Sequence, residues 1–389
     1  YGYLELTTID GKILKFGNQD DNLKANIIIK KSNFNFNLIK GGSVGFAESY
    51  MRGEFETDNL SNLIELTARN IQVIYKFSGL LDLPIINFVK NKIIKNTKNR
   101  SKENIAKHYD LGNDFFSLWL DDTLTYSSAI FDDKSKNLSE AQNNKYQKLI
   151  DLIKPSNGDK VLEIGCGWGG AAKHFANNYG VNVVGITVSK EQIAYAKENS
   201  DNMDVDFRLM DYRDLDETFD AIYSIGMFEA VGYKNYREFF QIVRSCLKDD
   251  GAFLLHTIGG NESTTTTDPW VEKYIFPNGM MPSAQQIAES SEGIFIFDDW
   301  QNIGTHYDKT LMCWFENFVN SYEEIKDKYN KPTILISINE ELGKGSARSI
   351  FGFDIGSQII KAVQLGILKK GGGHKMAGGF TIDIEKIDS

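Results

Sequence analysis

An apolar segment runs straight into glycines at every second position, Val161-Leu162-Glu163-Ile164-Gly165-Cys166-Gly167-Trp168-Gly169, with Gly170 following. Glycines so spaced let the backbone turn sharply at a strand end and bring main-chain amides against a ligand that a Cβ would exclude. The fold that uses such a turn is a strand entering a helix, repeated in a parallel sheet covered on both faces. The surrounding sequence has the required alternation. Short apolar runs at 160–165, 181–187, 205–209, 219–225 and 251–257 are separated by amphipathic stretches such as 190–198 and 235–247. The spacing predicts an α/β, doubly wound, Rossmann-like sheet.

Dinucleotide enzymes also carry a glycine-rich turn, but with G-x-G-x-x-G spacing. The different spacing here, Glu163 inside the strand end and Asp211 at the end of the third strand point instead to S-adenosylmethionine. Asp211 can accept from an adenine amino group. At the end of the second strand, where an acid commonly meets the ribose hydroxyls, the chain has Thr187, Val188 and Ser189. The bland alternative is a turn that only packs strand on helix.

Composition removes other classes. With 43 basic against 53 acidic residues the net charge is −10, which argues against a protein that coats nucleic acid. Cys166, Cys246 and Cys313 follow neither a metal-ligand nor a disulfide spacing, so a reducing cytosol and no bound metal are expected. No apolar run approaches the roughly 20 residues of a membrane-spanning helix. The chain starts at Tyr1 rather than Met, so an N-terminal piece is expected to be missing.

Four segments are expected. Residues 1–89 read as a small α+β unit with strands near 12–16, 25–30 and 34–39, punctuated by Asp10-Gly11 and Gly41-Gly42, and a helix over 60–80. Residues 90–102 carry Lys90, Lys92, Lys95, Lys98, Arg100 and Lys102 and no acid. They form either a solvated linker or an interfacial segment, each lysine there worth about 1 kcal/mol near an anionic surface. Residues 103–329 hold the parallel sheet, and 330–389 are a glycine-rich appendage.

Several motifs in fixed order resemble the cyclopropane fatty acid synthase and mycolic acid cyclopropane synthase family. They are Ile105-Ala106-Lys107-His108-Tyr109-Asp110-Leu111-Gly112-Asn113-Asp114-Phe115-Phe116, Leu124-Thr125-Tyr126-Ser127-Ser128-Ala129, Gly185-Ile186-Thr187-Val188-Ser189-Lys190-Glu191-Gln192, Gly226-Met227-Phe228-Glu229-Ala230-Val231-Gly232, His256-Thr257-Ile258-Gly259 and His306-Tyr307-Asp308. Gly45-Phe46-Ala47-Glu48 is similar to the longer bacterial type, in which the N-terminal unit binds lipid. The resemblance implies a class I S-adenosylmethionine methyltransferase fold. It implies cofactor contacts from Tyr126, Ser127, Glu163, Gly165, Gly167, Thr187, Val188, Gln192, Asp211, Tyr212 and Ile225. It also implies a catalytic set: Glu229, His256, Ile258 and Tyr307 around a bound bicarbonate ion, together with Ser128, which stands where the family usually has Cys.

The implied reaction adds a methylene to the double bond of phospholipid acyl chains, with Phe228 or Trp270 as candidate stabilisers of a substrate cation. The implied setting is cytoplasmic and peripheral on the inner membrane, with the phospholipid surface as partner and a homodimer allowed. Two rivals stand beside it: a methyltransferase of a small soluble substrate, and a nucleic-acid module in the tail. Residues from Gly343 through His374 resemble half of the substrate-binding domain of RecJ-like DHH phosphoesterases. The aspartate-histidine motifs of those enzymes are absent, so the tail reads as a fusion or a gene-model artefact without hydrolytic activity of its own.

Overall fold

The computed structural model describes residues 1–73, 112–329, 333–339, 342–348, 354–374 and 377–386. The basic linker 90–102, the end of the helix expected over 60–80 and the motif from Ile105 to Leu111 lie outside the described residues. Contacts divide the chain into two units, Tyr1–Asp82 with Tyr322–Ser389, and Leu83–Ser321.

At the N-terminus, strands β1 (Tyr3–Thr7), β2 (Ile13–Gly17) and β3 (Lys24–Ile29) precede helix α1 (Asn33–Met51), strand β4 (Phe55–Glu56) and helix α2 (Leu60–Arg69). The sheet order is β2-β1-β3-β4, with β1 parallel to β3 and antiparallel to β2. Ala25, Ile27 and Ile29, every second residue of β3, pack with Phe34, Phe55, Leu63 and Leu66 in one core. Residues 34–39 correct the sequence expectation: they are helical. Asn and Phe alternate there, but burial does not, for Phe34 is buried while Phe36 and Ile39 are 63% and 64% exposed. Gly42, at φ +51°, breaks α1. A Cβ on Gly45 would collide with the Asn37 carbonyl oxygen, so the two halves of α1 fold closely on each other.

In the second unit, α3 (Asn113–Ser117) and α4 (Leu138–Ile153) precede β5 (Lys160–Ile164), α5 (Gly170–Tyr179), β6 (Asn182–Thr187), α6 (Lys190–Glu198), β7 (Val205–Leu209), β8 (Phe219–Ile225), α7 (Tyr236–Cys246) and β9 (Leu247–His256). Helices α8 (Pro269–Tyr274), α9 (Ala284–Ser291) and α10 (Gly304–Asn320) follow. The sheet order is β7-β6-β5-β8-β9, parallel throughout, with the switch in order beside β5. Alternate side chains reach opposite cores. Val161, Val183 and Ala221 pack with α4, α5 and α6, whereas Leu162, Val184 and Ile222 pack with α7 and α9. A crevice at the carboxyl ends of such strands, beside the switch, is where ligands bind.

The C-terminal residues form α11 (Tyr322–Tyr329), β10 (Thr333–Asn339), β11 (Leu342–Arg348), α12 (Ile355–Gln364), β12 (Lys370–His374) and β13 (Ala377–Asp383). This sheet, in order β10-β11-β13-β12, is antiparallel. Ile355 and Ile359 of α12 pack on it with Ala347, Phe380 and Ile382.

The Phe207 ring fills the space left by two glycines: a Cβ on Gly185 would stand 2.8 Å from it, and one on Gly169 would overlap it. Gly185→Ala should therefore cost about 1–3 kcal/mol by overpacking. Adding Phe207→Leu should recover part of the lost melting temperature; a double variant that melts no higher than Gly185→Ala would show that the ring is not what the glycine accommodates.

Candidate active site

Beyond the end of β5 the chain makes its glycine turn with Gly165 at φ +85°, Gly167 at +53° and Gly169 at +83°. The Gly165 and Cys166 amides both donate to the Ile186 carbonyl, 2.9 and 3.0 Å away, which pins the turn to the end of β6. No atom lies within 4 Å of where a Cβ on Gly167 would stand. That open space belongs to a cavity of about 1400 Å³ lined by Gly165, Gly167, Glu163, Thr187, Gln192 and Ile225. A smaller recess of about 60 Å³, lined by Val188, Asp211 and Tyr212, shares Gly165, Thr187, Met227 and Ala230 with it.

At the end of β6 the Thr187 hydroxyl donates to Gln192 Oε1 (3.0 Å) and accepts from the Ser189 amide (3.2 Å). Ser189 in turn caps α6 by accepting from the Gln192 amide. Two polar side chains thus stand ready where an acid is usual. Both Asp211 oxygens accept from Arg213 at 2.7 Å. A carboxylate oxygen so engaged keeps further lone pairs for a ligand amino group. Tyr212 is buried beside it, which pushes its phenol up.

Across the cavity, Tyr126, Ser127 and Ser128 form one wall. The Tyr126 ring stacks on Phe276 at 6.0 Å and packs on Trp314 at 5.3 Å. Ser127 Oγ accepts from Lys145 Nζ (2.7 Å), and the Ser127 carbonyl accepts from Gln142 (3.0 Å). The Ser128 hydroxyl donates to the Ala129 carbonyl (3.1 Å), so it is turned onto its own main chain, and Thr310 accepts from the Ala129 amide.

Glu229, His256, Ile258 and Tyr307 share the same cavity. The Ile258 amide donates to Glu229 Oε1 at 2.7 Å. Burial raises the Glu229 carboxyl, countered in part by the Ile258 amide, its own amide and the Thr257 hydroxyl. Burial, then the Lys145 charge, lowers His256 to about 3. Burial, then Glu229, pushes Tyr307 up to about 12. Glu229 Oε2 and His256 Nδ1 are buried with no hydrogen-bond partner among the described residues. Such atoms are costly unless a ligand meets them.

Two aromatic candidates are placed elsewhere. Phe228 is fully buried against Tyr236 and the α7 phenylalanines, and Trp270 packs on Tyr274; neither lines the cavity. Lys145 and Gln142 went unnoticed in the sequence. Their signal is positional: both stand on the α4 stripe that also carries Leu138, Ala141 and Leu149, where a solvated polar residue does not belong. Among the described residues no group of three or more His, Cys, Asp or Glu could hold a metal.

The family Mycolic acid cyclopropane synthetase matches residues 96–337. The chain belongs to it. The match spans the glycine turn, the Tyr126 wall and the Glu229 cluster alike, and its members are S-adenosylmethionine-dependent methyltransferases. The chain is 43% identical over 310 residues to the cyclopropane-fatty-acyl-phospholipid synthase of Escherichia coli (strain K12), covering 79% of this chain and 80% of that enzyme. It is 32% identical over 296 residues to tuberculostearic acid methyltransferase UfaA1 of Mycobacterium tuberculosis (strain ATCC 25618 / H37Rv), covering 72% and 69%. Among solved structures, mycolic acid cyclopropane synthase CmaA1 complexed with SAH and CTAB aligns with a TM-score of 0.55 and 27% identity over 72% of this chain and 98% of that one. A second family, the DHHA1 domain, matches residues 317–389, overlapping the first.

Gly167 faces open space at positive φ, so Gly167→Val should weaken S-adenosylmethionine binding in calorimetry at least about tenfold, a loss of about 1.4 kcal/mol or more. Unchanged affinity would place the cofactor elsewhere.

The His256 shift has a sign that stability measurements can check. Below 6.5 the unfolded chain gains a proton that the folded chain, with His256 held to about 3, does not take up. The unfolded state then binds more protons, so stability is lost as pH falls through that window. His256→Asn should shrink the stability loss between about pH 7 and about pH 5 by about 2 kcal/mol in urea unfolding. An unaltered slope would mean that His256 is not buried neutral.

Proposed function

We propose that this chain forms cyclopropane fatty acids by adding a one-carbon unit from S-adenosylmethionine to the cis double bond of unsaturated phospholipid acyl chains. The observation that carries the reading is that a glycine cradle and a half-buried carboxyl-imidazole-phenol cluster open into one cavity of about 1400 Å³ with an apolar wall. Ordinary ligand pockets span about 300–1,000 Å³, so volume remains for an acyl chain once the cofactor is seated. Leu149, Phe240, Phe253, Ile287, Ile294 and Phe295 line that remainder. The rim is apolar too: Met281, Ile296, Phe297 and Trp300 line the cavity and are each more than half exposed, Ile296 at 95%. A hydrocarbon chain entering there leaves a lipid phase without first crossing water, which favours action at a membrane surface. No helix among the described residues is long and apolar enough to cross a membrane.

When bound, S-adenosylmethionine supplies an electrophilic methyl group. In this reading Gly165 and Gly167 give it room, Thr187 and Gln192 meet its ribose, Asp211 accepts from its adenine, and Tyr126 closes over it. The apolar wall orients the alkene and excludes water, the main help available to so weak a nucleophile. A bicarbonate ion held by Glu229, His256 and Tyr307 would supply the base for the proton that must leave the added carbon before the ring closes. The residues fit such an anion. Burial favours the protonated form of Glu229, in which its otherwise unmatched Oε2 would donate, while His256 stays neutral and Tyr307 keeps its phenolic proton to donate.

Lipids from a host expressing the chain should gain one methylene per unsaturated acyl chain by mass spectrometry. Glu229→Gln should abolish most of that gain, lowering kcat by about a hundredfold or more while leaving cofactor affinity within about twofold, as a transition-state interaction does. A wild-type rate indifferent to carbonate-stripped buffer would remove the bicarbonate base, and an unmodified lipid pool would remove the substrate.

A further inference from the structure

One charged side chain beneath the cavity has no part in the chemistry above. Lys145, in the middle of α4, is fully buried. A buried ammonium is expensive unless opposite charge and hydrogen-bond acceptors meet it. Lys145 donates to Ser127 Oγ at 2.7 Å, and the carboxylates of Asp121 and Glu163 both act on its charge. Those two carboxylates belong to different parts of the site. Asp121 accepts from the Thr123 and Thr125 amides and so holds the start of the segment that leads to Tyr126. Glu163 is the buried acid of β5 immediately before the glycine turn.

The neighbours of Lys145 on α4 reach the same segment. Gln142, one turn earlier, donates to the Thr125 and Ser127 carbonyls at 3.3 and 3.0 Å. The Tyr146 hydroxyl hydrogen-bonds the Thr125 hydroxyl. Gln142 thus holds the main chain of the segment and Tyr146 holds Thr125, while Lys145 takes the Ser127 side chain. A helix face that presents a buried amide, a buried ammonium and a buried phenol to residues 125–127 is built to fix that stretch.

We propose that Lys145 is a positioning residue for cofactor binding: its hydrogen bond to Ser127 Oγ, made beside those of Gln142 and Tyr146, holds Tyr126 and Ser127 of the cavity wall against the bound cofactor. This inference rests on the cofactor reading above. Burial lowers Lys145 to about 7, Asp121 and Glu163 opposing, and raises Glu163 to about 8. Burial thus works against the charged form of both groups, and the hydrogen bond to Ser127 Oγ is what places the Lys145 nitrogen.

A double-mutant cycle on S-adenosylmethionine affinity tests it, using wild type, Lys145→Met, Ser127→Ala and the double variant in calorimetry. If Lys145 acts through Ser127, each single variant binds about tenfold more weakly and the double variant is no worse than Lys145→Met, a coupling of about 1.4 kcal/mol. A lysine that only supports the fold would instead give an additive loss of about a hundredfold, which would overturn the proposal. So would a folded Lys145→Met that binds like wild type. Ser127→Ala removes only a hydroxyl and gives a second measurement that does not depend on whether Lys145→Met folds. Hydrogen exchange of the 125–128 amides should speed up in it, and unchanged protection would show that the ammonium does not pin the segment. Wild type that fails to bind S-adenosylmethionine would defeat the cofactor reading and this inference together, whereas wild-type binding with an additive cycle defeats this inference alone.

Discussion

Where β5 ends, Gly165 and Gly167 hold φ values of +85° and +53°. Any side chain is costly in that region of backbone space. The parallel sheet leaves a crevice at its carboxyl edge, and the turn converts that crevice into a cradle by lifting the chain clear of it. Other placements follow. The Gly165 and Cys166 amides bind the Ile186 carbonyl, which fixes the end of β6 and with it Thr187 and the α6 cap. Gly165 also leaves room for Met227, since a Cβ there would stand 2.7 Å from the Met227 side chain. Met227 leads directly into Glu229, so one backbone turn sets the depth of both the cofactor side and the base side of the cavity.

Burial then supplies the chemistry. It raises Glu229 and Tyr307 and lowers His256, and in each case the neutral form is the one favoured. Neutral donors grouped in one pocket suit an anion better than charged ones packed without counterions, because no isolated charge has to be buried before the ligand arrives. Glu163 lines the same cavity, and Lys145 is buried behind its wall on Ser127. The Lys145 charge adds to the forces that keep His256 unprotonated, which links the floor of the cavity to the base cluster.

The sheet was legible because its strands are buried on both faces and read as apolar runs with glycine or polar breaks between them. The strand boundary that moved most is instructive. β9 begins at Leu247 rather than near Gly251, and Lys248, Asp249 and Asp250 are exposed on it. It is the last strand of the described sheet, where nothing requires an apolar pattern. The helix over residues 34–39 was illegible for a related reason. Its Asn and Phe alternate at period two, and only the packing of Phe34 under β3 and the turn at Gly42 decide for a helix. In the site, motif residues showed themselves because glycines and strand-end polar residues are unusual in an apolar context. Lys145 and Gln142 sit inside a helix whose outer face is also polar, so their burial appears only once α4 is docked.

The appended C-terminal sheet follows a separate logic from the catalytic unit. Its buried side chains, Ala347, Ile355, Ile359, Leu368, Phe380 and Ile382, close into a core among themselves. Glycine is what lets that core form in so short a segment. A Cβ on Gly371 would stand 2.7 Å from the Ile359 side chain, and one on Gly378 would stand 2.5 Å from it. The Ile359 side chain of helix α12 therefore packs directly on the strand backbone, as glycine in a strand permits. Every residue assigned a role in methyl transfer falls between Tyr126 and Tyr307, within the other unit. A sheet with its own core and a cavity with its own walls make few demands on each other's sequence. Two families can then match one chain, overlapping only across residues 317–337, without either having to give up the residues on which it depends.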